Sequence, residues 1–351
     1  MPRARPMLAK NQEELPLGEG WRYEPKWDGF RAIVTRTADG AVALDSRGER
    51  PLGRYFPEIV DLLIGQPPAT YVMDCEIVMV ANGVMDFETL QLRLHPAASR
   101  VNKLAGEIPT TLVAFDLIEV DGRDLHGETT DERRSELETL ISKLGGGPAP
   151  DGPAGLPRGP ALILTPRTDD PDVARRWFED VDGFGQDGIV AKRADQRYVE
   201  GERVMVKVKH HRTADCVVGG YRLERNGNGV GSLLLGLYDD AGRLHYVGHT
   251  SAFKAKERKE LRETLAPLEG GSGFGGDMAR APGGPSRWSG GRDLEWVPLE
   301  PTLVCEVRFE RLQGGRFRHS ASIVRWRPDR DPKSCTFEQI GATAPTWPEA
   351  G

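Results

Sequence analysis

Short apolar runs of two kinds alternate along residues 1–210. Runs rich in β-branched and aromatic residues predict strands, and apolar residues at helical spacing predict helices. The predicted strands are residues 21–27, 30–36, 41–47, 70–80, 110–120, 162–167, 188–193 and 203–209. The predicted helices are residues 54–65, 85–94, 131–144 and 170–185. Strands and helices are thus mixed in this region, which contains no internal repeat, and we expect an α+β domain.

The pattern changes after residues 210–214, HHRTA. Five closely spaced strands and one charged helix are predicted, at residues 216–223, 232–239, 243–250, 252–268 (the helix), 302–312 and 317–326. This set is typical of a small antiparallel barrel of the oligonucleotide-binding (OB) type. We therefore expect two domains, residues 1–210 and 211–351, with the change of pattern near 210–214.

Glycine and proline mark the predicted loops. Residues 145–160 are too rich in both to pack and are predicted as a surface loop. The stretch ERNGNGVG, residues 224–231, predicts a hairpin turn, and residues 270–291 predict a glycine-rich loop.

Composition restricts the class of protein but does not identify a function. The chain has 351 residues, 38% hydrophobic and 28% charged, as expected of a soluble globular protein. No apolar run approaches the roughly 18 residues of a membrane span, and the N-terminus does not resemble a secretory signal. Four scattered cysteines indicate reduced thiols, which together with these absences favours a cytoplasmic protein.

The net charge of −6 argues mildly against a nucleic-acid partner. However, basic side chains outnumber acidic ones between residues 306 and 333. Local patches rather than total charge set the field that a phosphate backbone meets. Charge alone therefore leaves this question open.

The chemistry must come from charged residues on strands, because the sequence contains no GxxxxGK[ST] phosphate loop and no GxGxxG between a strand and a helix. In VMDCEIV, Asp74 and Glu76 share one strand face, and in VMVKVKH, Lys207 and Lys209 share one face. Taken singly, each pattern also fits an amphipathic strand with its polar face in water. Lys26, before Asp28-Gly29, taken alone fits a lysine at a turn.

Together these residues have the properties needed for nucleotidyl transfer. They offer basic side chains to bind phosphates, carboxylates to bind Mg²⁺ and an aromatic ring to stack on a nucleobase. The set is Lys26, Arg31, Arg47, Asp74, Glu76, Phe115, Asp187, Lys192, Lys207 and Lys209.

The motifs KWDGFR, SRGER, DCEIV, FDLI, DGIVAKR and VKVK occur in that order. This series resembles the adenylation motifs of covalent nucleotidyltransferases, which include ATP-dependent DNA ligases, RNA ligases and mRNA capping enzymes. LQLRLHPAASRV and the ending RFRHSASIVRWRPDRDP resemble the short bacterial DNA ligases of the ligase C and ligase D type. The resemblance implies an ATP-grasp-like, antiparallel-sheet adenylation domain followed by an OB-fold barrel. It also implies that the helical DNA-binding domain of larger ligases is missing.

The resemblance implies a role for each matched residue. Lys26 would attack the α-phosphate of ATP, release pyrophosphate and carry AMP. Glu24 and Phe115 would bind adenine, and Glu76 and Asp187 would hold Mg²⁺ or Mn²⁺. The implied ribose and phosphate contacts are Arg31, Arg47, Glu76, Arg203, Lys207 and Lys209, and the implied pyrophosphate contacts are Arg327, Asp329 and Arg330.

Three positions depart from the family pattern. Asp187 stands where many relatives have glutamate, Met205 replaces a tryptophan, and Arg330 stands where lysine is commoner. The spacing from Arg203 to the lysines is also shorter than in many relatives. Arginine at position 330 keeps the charge but changes the geometry.

A nucleophilic lysine must be neutral, which at a pKa near 10.4 costs roughly 4 kcal/mol at about pH 7.5. Lys207, Lys209, Arg31 and Mg²⁺ are expected to lower the pKa of Lys26 by destabilising its ammonium.

The expected reaction is sealing of double-stranded DNA at a nick or break with 3′-hydroxyl and 5′-phosphate ends, through a DNA-adenylate, in repair. The expected protein is a monomer associated with the nucleoid, and an end-binding protein or a sliding clamp is the candidate partner. Two alternatives stay open: an RNA ligase or capping-type enzyme with the same lysine chemistry, and a catalytically silent nucleic-acid-binding module. Labelling with ATP or GTP, followed by transfer to DNA or RNA ends, separates them.

Overall fold

The computed structural model describes residues 4–81, 83–150, 152, 155–157, 159–180, 187–224, 227, 229–275, 282 and 295–344. The chain divides into two compact units, residues 1–210 and 211–351. No helix in these described ranges is long and apolar enough to cross a membrane. The four cysteines are buried free thiols, as predicted.

The first unit contains two sheets. The larger has the order β10-β11-β8-β5-β3-β4, with β9 paired to β8, from the strands β3 Phe30–Arg36, β4 Val42–Ser46, β5 Tyr71–Val78, β8 Thr111–Val120, β9 Arg123–Asp124, β10 Gly147–Pro148 and β11 Ala161–Leu164. The smaller has the order β1-β13-β12-β2, from β1 Leu8–Gln12, β2 Trp21–Pro25, β12 Ile189–Arg193 and β13 Arg203–Val208. A short hairpin joins β6 Val80–Ala81 to β7 Val84–Met85.

The helices of the first unit are α1 Pro57–Ile64, α2 Phe87–Gln91, α3 Ala98–Glu107, α4 Thr130–Lys143 and α5 Pro171–Glu179. A 3-10 turn, Gly53–Tyr55, precedes α1. Helix α4 begins with a capping box, in which the Thr129 side chain accepts from the backbone N–H of Glu132 and Glu132 reaches back to Thr129.

Strand alternation gives the larger sheet one apolar face and one charged face. Met73, Cys75 and Ile77 lie in the core that includes side chains of α1 and α4. Ile33 and Met205 belong to a second apolar cluster that draws residues from both sheets. Because successive side chains of a strand point to opposite faces, Asp74 and Glu76 lie on the face toward the smaller sheet. The predicted alternation is confirmed, and the charged residues lie between the sheets.

The second unit contains the strands β14 Arg212–Leu223, β15 Val230–Tyr238, β16 Leu244–Thr250, β17 Val297–Pro298, β18 Val304–Phe309, β19 Leu312–Gln313, β20 Arg316–Phe317 and β21 Ser322–Trp326, and helix α6 Ala255–Leu265. The 3-10 turns are Ala266–Leu268, Pro332–Ser334 and Phe337–Ile340.

Its main sheet has the order β16-β15-β14-β18-β21, with β17 paired to β14, and α6 lies between β16 and β18 in sequence. A parallel bridge between Thr250 and Ala321 connects the two edges. This is an OB-type order, and in the described residues the ring is completed by that bridge rather than by a full strand ladder.

Several elements are absent from the sequence prediction. The longest are strand β1, which is short and polar, and helix α3, which only partly overlaps the family-like stretch LQLRLHPAASRV. The two-residue strands β7, β9, β10 and β17 were also not predicted. The segment 145–160 does pack in part, because Gly147–Pro148 pairs with β11 and Leu156 is buried. The prediction that it is too rich in glycine and proline to pack is therefore wrong.

Asp170 caps α5, accepting from the N–H of Asp172 at 2.8 Å. Residues 181–185 of the predicted helix 170–185 lie outside the described residues. The same holds for part of the hairpin turn at 224–231 and most of the loop at 270–291.

Candidate active site

The backbone at Lys26 is held by close contacts between β2, β12 and β13. The Lys26 N–H donates to the Gly188 carbonyl at 2.8 Å. Gly188 has φ +117°, and a Cβ there would lie 1.9 Å from the Val208 carbonyl oxygen. Only glycine fits such a position. Lys26 is therefore fixed against the end of the strand that carries Lys207 and leads to Lys209.

The turn after Lys26 is equally constrained. A Cβ on Gly29 would lie 2.1 Å from the Ile77 carbonyl oxygen of β5. The Gly29 N–H donates to Glu76 Oε1 at 3.1 Å. The buried Trp27 donates from Nε1 to Thr165 Oγ1 at 2.8 Å. The KWDG turn thus connects both sheets and holds the Lys26 side chain in the cleft.

The Lys26 side chain is 22% exposed, and its ammonium donates to Asp187 Oδ2. Burial alone lowers the pKa of Lys26, but the carboxylates of Asp187, Glu76 and Asp28 outweigh burial and raise the pKa above its ordinary value. The expectation that nearby cations lower the pKa of Lys26 is therefore wrong when only the side chains of the protein act on it. Physically, Lys26 faces carboxylates more closely than cations.

For Glu76, burial outweighs the attraction of the nearby positive charges. Burial, opposed by Lys26 and Arg31 and reinforced by Asp28 and Asp74, raises its pKa to about 8. A carboxyl this poorly compensated fits a site completed by a cation. The described residues contain no group of three or more His, Cys, Asp or Glu side chains arranged to hold a metal. Glu76 and Asp187 suit Mg²⁺, which commonly uses one or two carboxylates together with substrate phosphates.

Arg31 is fixed by a buried carboxylate two residues from its cross-strand neighbour. Its Nε and Nη2 donate to the two oxygens of Asp74 at 2.8 and 2.5 Å. The Tyr198 hydroxyl donates to Asp74 Oδ2 at 2.8 Å and accepts from the Met7 N–H at 3.2 Å. The guanidinium lies 5.3 Å from the Phe115 ring centroid. Arg31 is therefore oriented along the Phe115 side of the cleft.

Glu24 and Phe115, the predicted base contacts, meet at one buried lysine. Lys192 Nζ lies 2.9 Å from Glu24 Oε2 and donates to the Phe115 carbonyl at 2.9 Å. Asp116 lies 3.8 Å from the same ammonium and accepts from Arg133 Nε at 2.8 Å. The part of the cleft around Phe115 thus contains two buried carboxylates and two buried cations: Glu24, Asp116, Lys192 and Arg133.

The remaining predicted contacts are more dispersed. Lys207 pairs in register with Val190, which pairs with Glu24, so these three residues share one sheet face. Arg203 is exposed at the start of β13, and Arg47 is exposed at the turn after β4.

In the second unit, Asp215 binds two of the predicted pyrophosphate contacts. Its Oδ1 accepts from Arg327 Nη1 at 3.0 Å, and Arg330 Nε lies 3.4 Å from its Oδ2. Asp329 accepts from Arg327 Nε at 2.9 Å, and that hydrogen bond lowers the pKa of Asp329 to about 2. Asp215 and Asp329 thus hold the two arginines of the RPDR segment in place and balance their charges.

Sequence reasoning missed the supporting residues Asp116, Arg133, Tyr198 and Asp215. Asp116 follows Phe115 directly and is the only one that a motif could have suggested. The others become adjacent to the site through contacts between residues distant in sequence, such as Tyr198 with Asp74.

Fold and site together define a class: a nucleotidyltransferase domain followed by an OB-type domain. The ATP dependent DNA ligase domain family matches residues 6–209, and the ATP dependent DNA ligase C terminal region matches residues 226–330. The chain belongs to the family of ATP-dependent DNA ligases, and is an enzyme that forms phosphodiester bonds.

The chain is 47% identical to DNA ligase C2 of Mycolicibacterium smegmatis over 353 residues, covering 97% of this chain and 95% of the relative. It is 32% identical to the multifunctional non-homologous end joining DNA repair protein LigD of Mycobacterium tuberculosis, covering 95% of this chain and 40% of that protein. The solved structure of mycobacterial DNA ligase D complexed with ATP and MES matches with a TM-score of 0.50 and 29% identity, over 95% of this chain and 98% of that chain.

Proposed function

We propose that this DNA ligase seals nicks or breaks bearing 3′-hydroxyl and 5′-phosphate ends through an AMP adduct on Lys26. The observation that carries the proposal is the fixed position of Lys26 in a charged cleft between two sheets. Its backbone is held by Gly188, and Gly29 lets the following turn approach β5 closely. A positioned nucleophile is the main requirement of transfer to a phosphorus centre.

The reaction proceeds in three transfers. Lys26 Nζ forms a bond to the α-phosphorus of ATP while the bond to pyrophosphate breaks. The 5′-phosphate of the DNA then takes AMP from Lys26. Finally the 3′-hydroxyl attacks that activated phosphate, and AMP leaves as the phosphodiester forms.

Lys26 must lose a proton before the first transfer. Its raised pKa means that the ammonium form predominates among the chain's own groups. Asp187 is the carboxylate bonded to Nζ, and so is the group through which the proton would leave. Lys207 and Lys209 would bind the α-phosphate, and Arg31 with Arg47, Glu76 and Arg203 would contact the ribose and phosphates.

Glu76 and Asp187 would hold Mg²⁺ or Mn²⁺. When bound, the metal supplies charge neutralisation at the phosphates. The poorly compensated carboxyl of Glu76 supports this assignment.

In the second unit, Arg327, Asp329 and Arg330 would orient the leaving pyrophosphate. The pairing of Arg327 and Arg330 with Asp215 supports this proposal, because one carboxylate holds both guanidinium groups close together. The basic segment around them would also contact the DNA backbone.

The function in the cell would be DNA repair. The similarity to a protein named for non-homologous end joining supports a role at breaks, with an end-binding protein as partner. A monomeric, nucleoid-associated enzyme is the corresponding expectation.

The test is mass spectrometry of the protein after exposure to ATP, followed by addition of nicked DNA. We expect a shift of one AMP on Lys26 that disappears as the nick is sealed, and no shift in Lys26→Ala. Lys10→Ala, a change at a lysine on β1, is the matched control and should label normally. An adduct on another residue would overturn the assignment. Labelling by GTP, or discharge only onto RNA ends, would instead favour a capping-type enzyme or an RNA ligase.

A further inference from the structure

The two predicted base contacts lie on different sheets. Glu24 is on β2 of the smaller sheet, and Phe115 is on β8 of the larger one. A nucleobase site built across two sheets requires a contact that fixes the distance between Glu24 and Phe115. Lys192, on β12, contacts both residues.

The contacts of Lys192 account for its ammonium donors. Nζ donates to the Phe115 carbonyl at 2.9 Å and lies 2.9 Å from Glu24 Oε2, with Asp116 Oδ2 at 3.8 Å. Nζ also lies 5.1 Å from the Phe115 ring centroid. The ring and the carboxylate are thus oriented by the same ammonium.

Burial makes this arrangement stiff. The Lys192 side chain is 2% exposed, and the Glu24 side chain it pairs with is 4% exposed. Burial alone would raise the pKa of Asp116, but Lys192 and Arg133 outweigh it and lower that pKa. Because solvent hardly reaches this pair, water cannot readily replace Lys192, and its loss would leave the Glu24 carboxylate buried without this partner.

We infer that Lys192 is a positioning residue that sets the affinity of the base site and its preference for ATP over GTP. This inference rests on the proposed function, in which Glu24 and Phe115 bind the nucleobase. Adenine presents an amino donor where guanine presents a carbonyl acceptor. A Glu24 carboxylate held in place by Lys192 accepts a hydrogen bond from the adenine amino group and repels the guanine carbonyl.

The experiment compares Lys192→Gln with Arg193→Gln by measuring Lys26 adenylation against ATP and GTP concentration. Arg193 is the next residue on the same strand, is partly exposed, and donates to the Glu19 carbonyl. We expect Lys192→Gln to raise KM for ATP about tenfold, as for loss of a charge-assisted hydrogen bond. The rate at saturating ATP should change much less, and the ATP-to-GTP preference should fall. Arg193→Gln should leave both unchanged.

A purely structural role would lower Tm without changing KM or base preference in the folded protein, and that result would overturn the inference. If Lys192→Gln does not fold, the pair Glu24→Gln and Glu24→Gln/Lys192→Gln replaces it, since neither leaves an ionised Glu24 in the interior. In that background the second change should add little to the loss of base preference, because Glu24 has already lost its charge. A full additional loss would contradict the inference. Absence of any adduct in the wild-type protein would instead reject the proposed function.

Discussion

Two charged clusters in this chain use the same side-chain types, and they differ most in the exposure of one carboxylate of each. The cleft cluster comprises Lys26, Arg31, Asp74, Glu76, Asp187 and Lys192, and the surface cluster comprises Asp215, Arg327, Asp329 and Arg330. In the cleft, Asp74 is fully buried, and in the surface cluster Asp329 is 64% exposed. The ion pairs have similar distances in both places.

Burial decides what these charges can do. In the cleft, removal from water raises the pKa of Glu76 to about 8 and makes each charge depend on its neighbour. In the surface cluster, Asp329 is open to water, which screens its pair with Arg327 and can replace its carboxylate. We therefore expect substitutions in the cleft to alter stability and catalysis strongly, and matched substitutions at the surface to act mainly through ligand contacts.

The largest effect on stability should come from Asp74→Asn. It removes the negative charge that receives both hydrogen bonds of the mostly buried Arg31 guanidinium, which we expect to cost about 3–5 kcal/mol of the unfolding free energy of the first unit. Calorimetry that resolves the two units measures it, with Asp329→Asn as the surface counterpart. Equal losses from the two variants would show that burial does not separate the clusters.

Gly29→Ala should reduce Lys26 adenylation about 100-fold, because a Cβ 2.1 Å from the Ile77 carbonyl must displace the turn by a substantial fraction of an ångström. Single-turnover adenylation measures the change. Gly48→Ala, where a Cβ meets no atom within 4 Å, is the control. A normal rate in Gly29→Ala would mean that the turn does not position the nucleophile.

Asp239→Asn is expected to cause a smaller loss of stability, confined to the second unit. Burial alone would raise the pKa of Asp239, but the Arg243 N–H, His245 and the Arg243 side chain outweigh burial and lower it well below its usual range. A lowered folded pKa contributes stability above about pH 4 that is lost as pH falls toward the folded value.

The variant should therefore lose about 1–3 kcal/mol at neutral pH. The difference from wild type should shrink in acid, as followed by thermal unfolding from pH 7 to pH 3. A difference that grows in acid would reverse the sign of the argument. The result extends the comparison, because Asp239 is a buried acid in the unit that also holds the surface cluster.

The smallest effect should follow Arg325→Ala. Arg325 pairs with Glu306 at 2.7 Å, but its side chain is 62% exposed. Such pairs contribute within about 0.5 kcal/mol, and salt weakens them further. Urea unfolding of the variant should be nearly unchanged. A loss of unfolding free energy as large as that of Asp74→Asn would show that exposure does not distinguish the two clusters.

The sequence by itself determined most of the longer elements and the family. Strand alternation in VMDCEIV predicted which side chains of β5 face the cleft, because that property depends only on a period of two. The ordered motifs pointed to the DNA ligases, and the family matches support that assignment. The short polar strand β1 was missed because it is held mainly by pairing with β13, which is distant in sequence.

Only the tertiary structure decided which charges meet and what they become. Lys26 was expected among cations, yet in the fold Asp187, Glu76 and Asp28 raise its pKa. Lys192 was one member of a set in the sequence, and its contacts with Glu24 and Phe115 exist because two sheets bring distant residues together. Local pattern fixes which way a side chain points. Packing over long sequence separations fixes its neighbours and its burial, and these set its charge state.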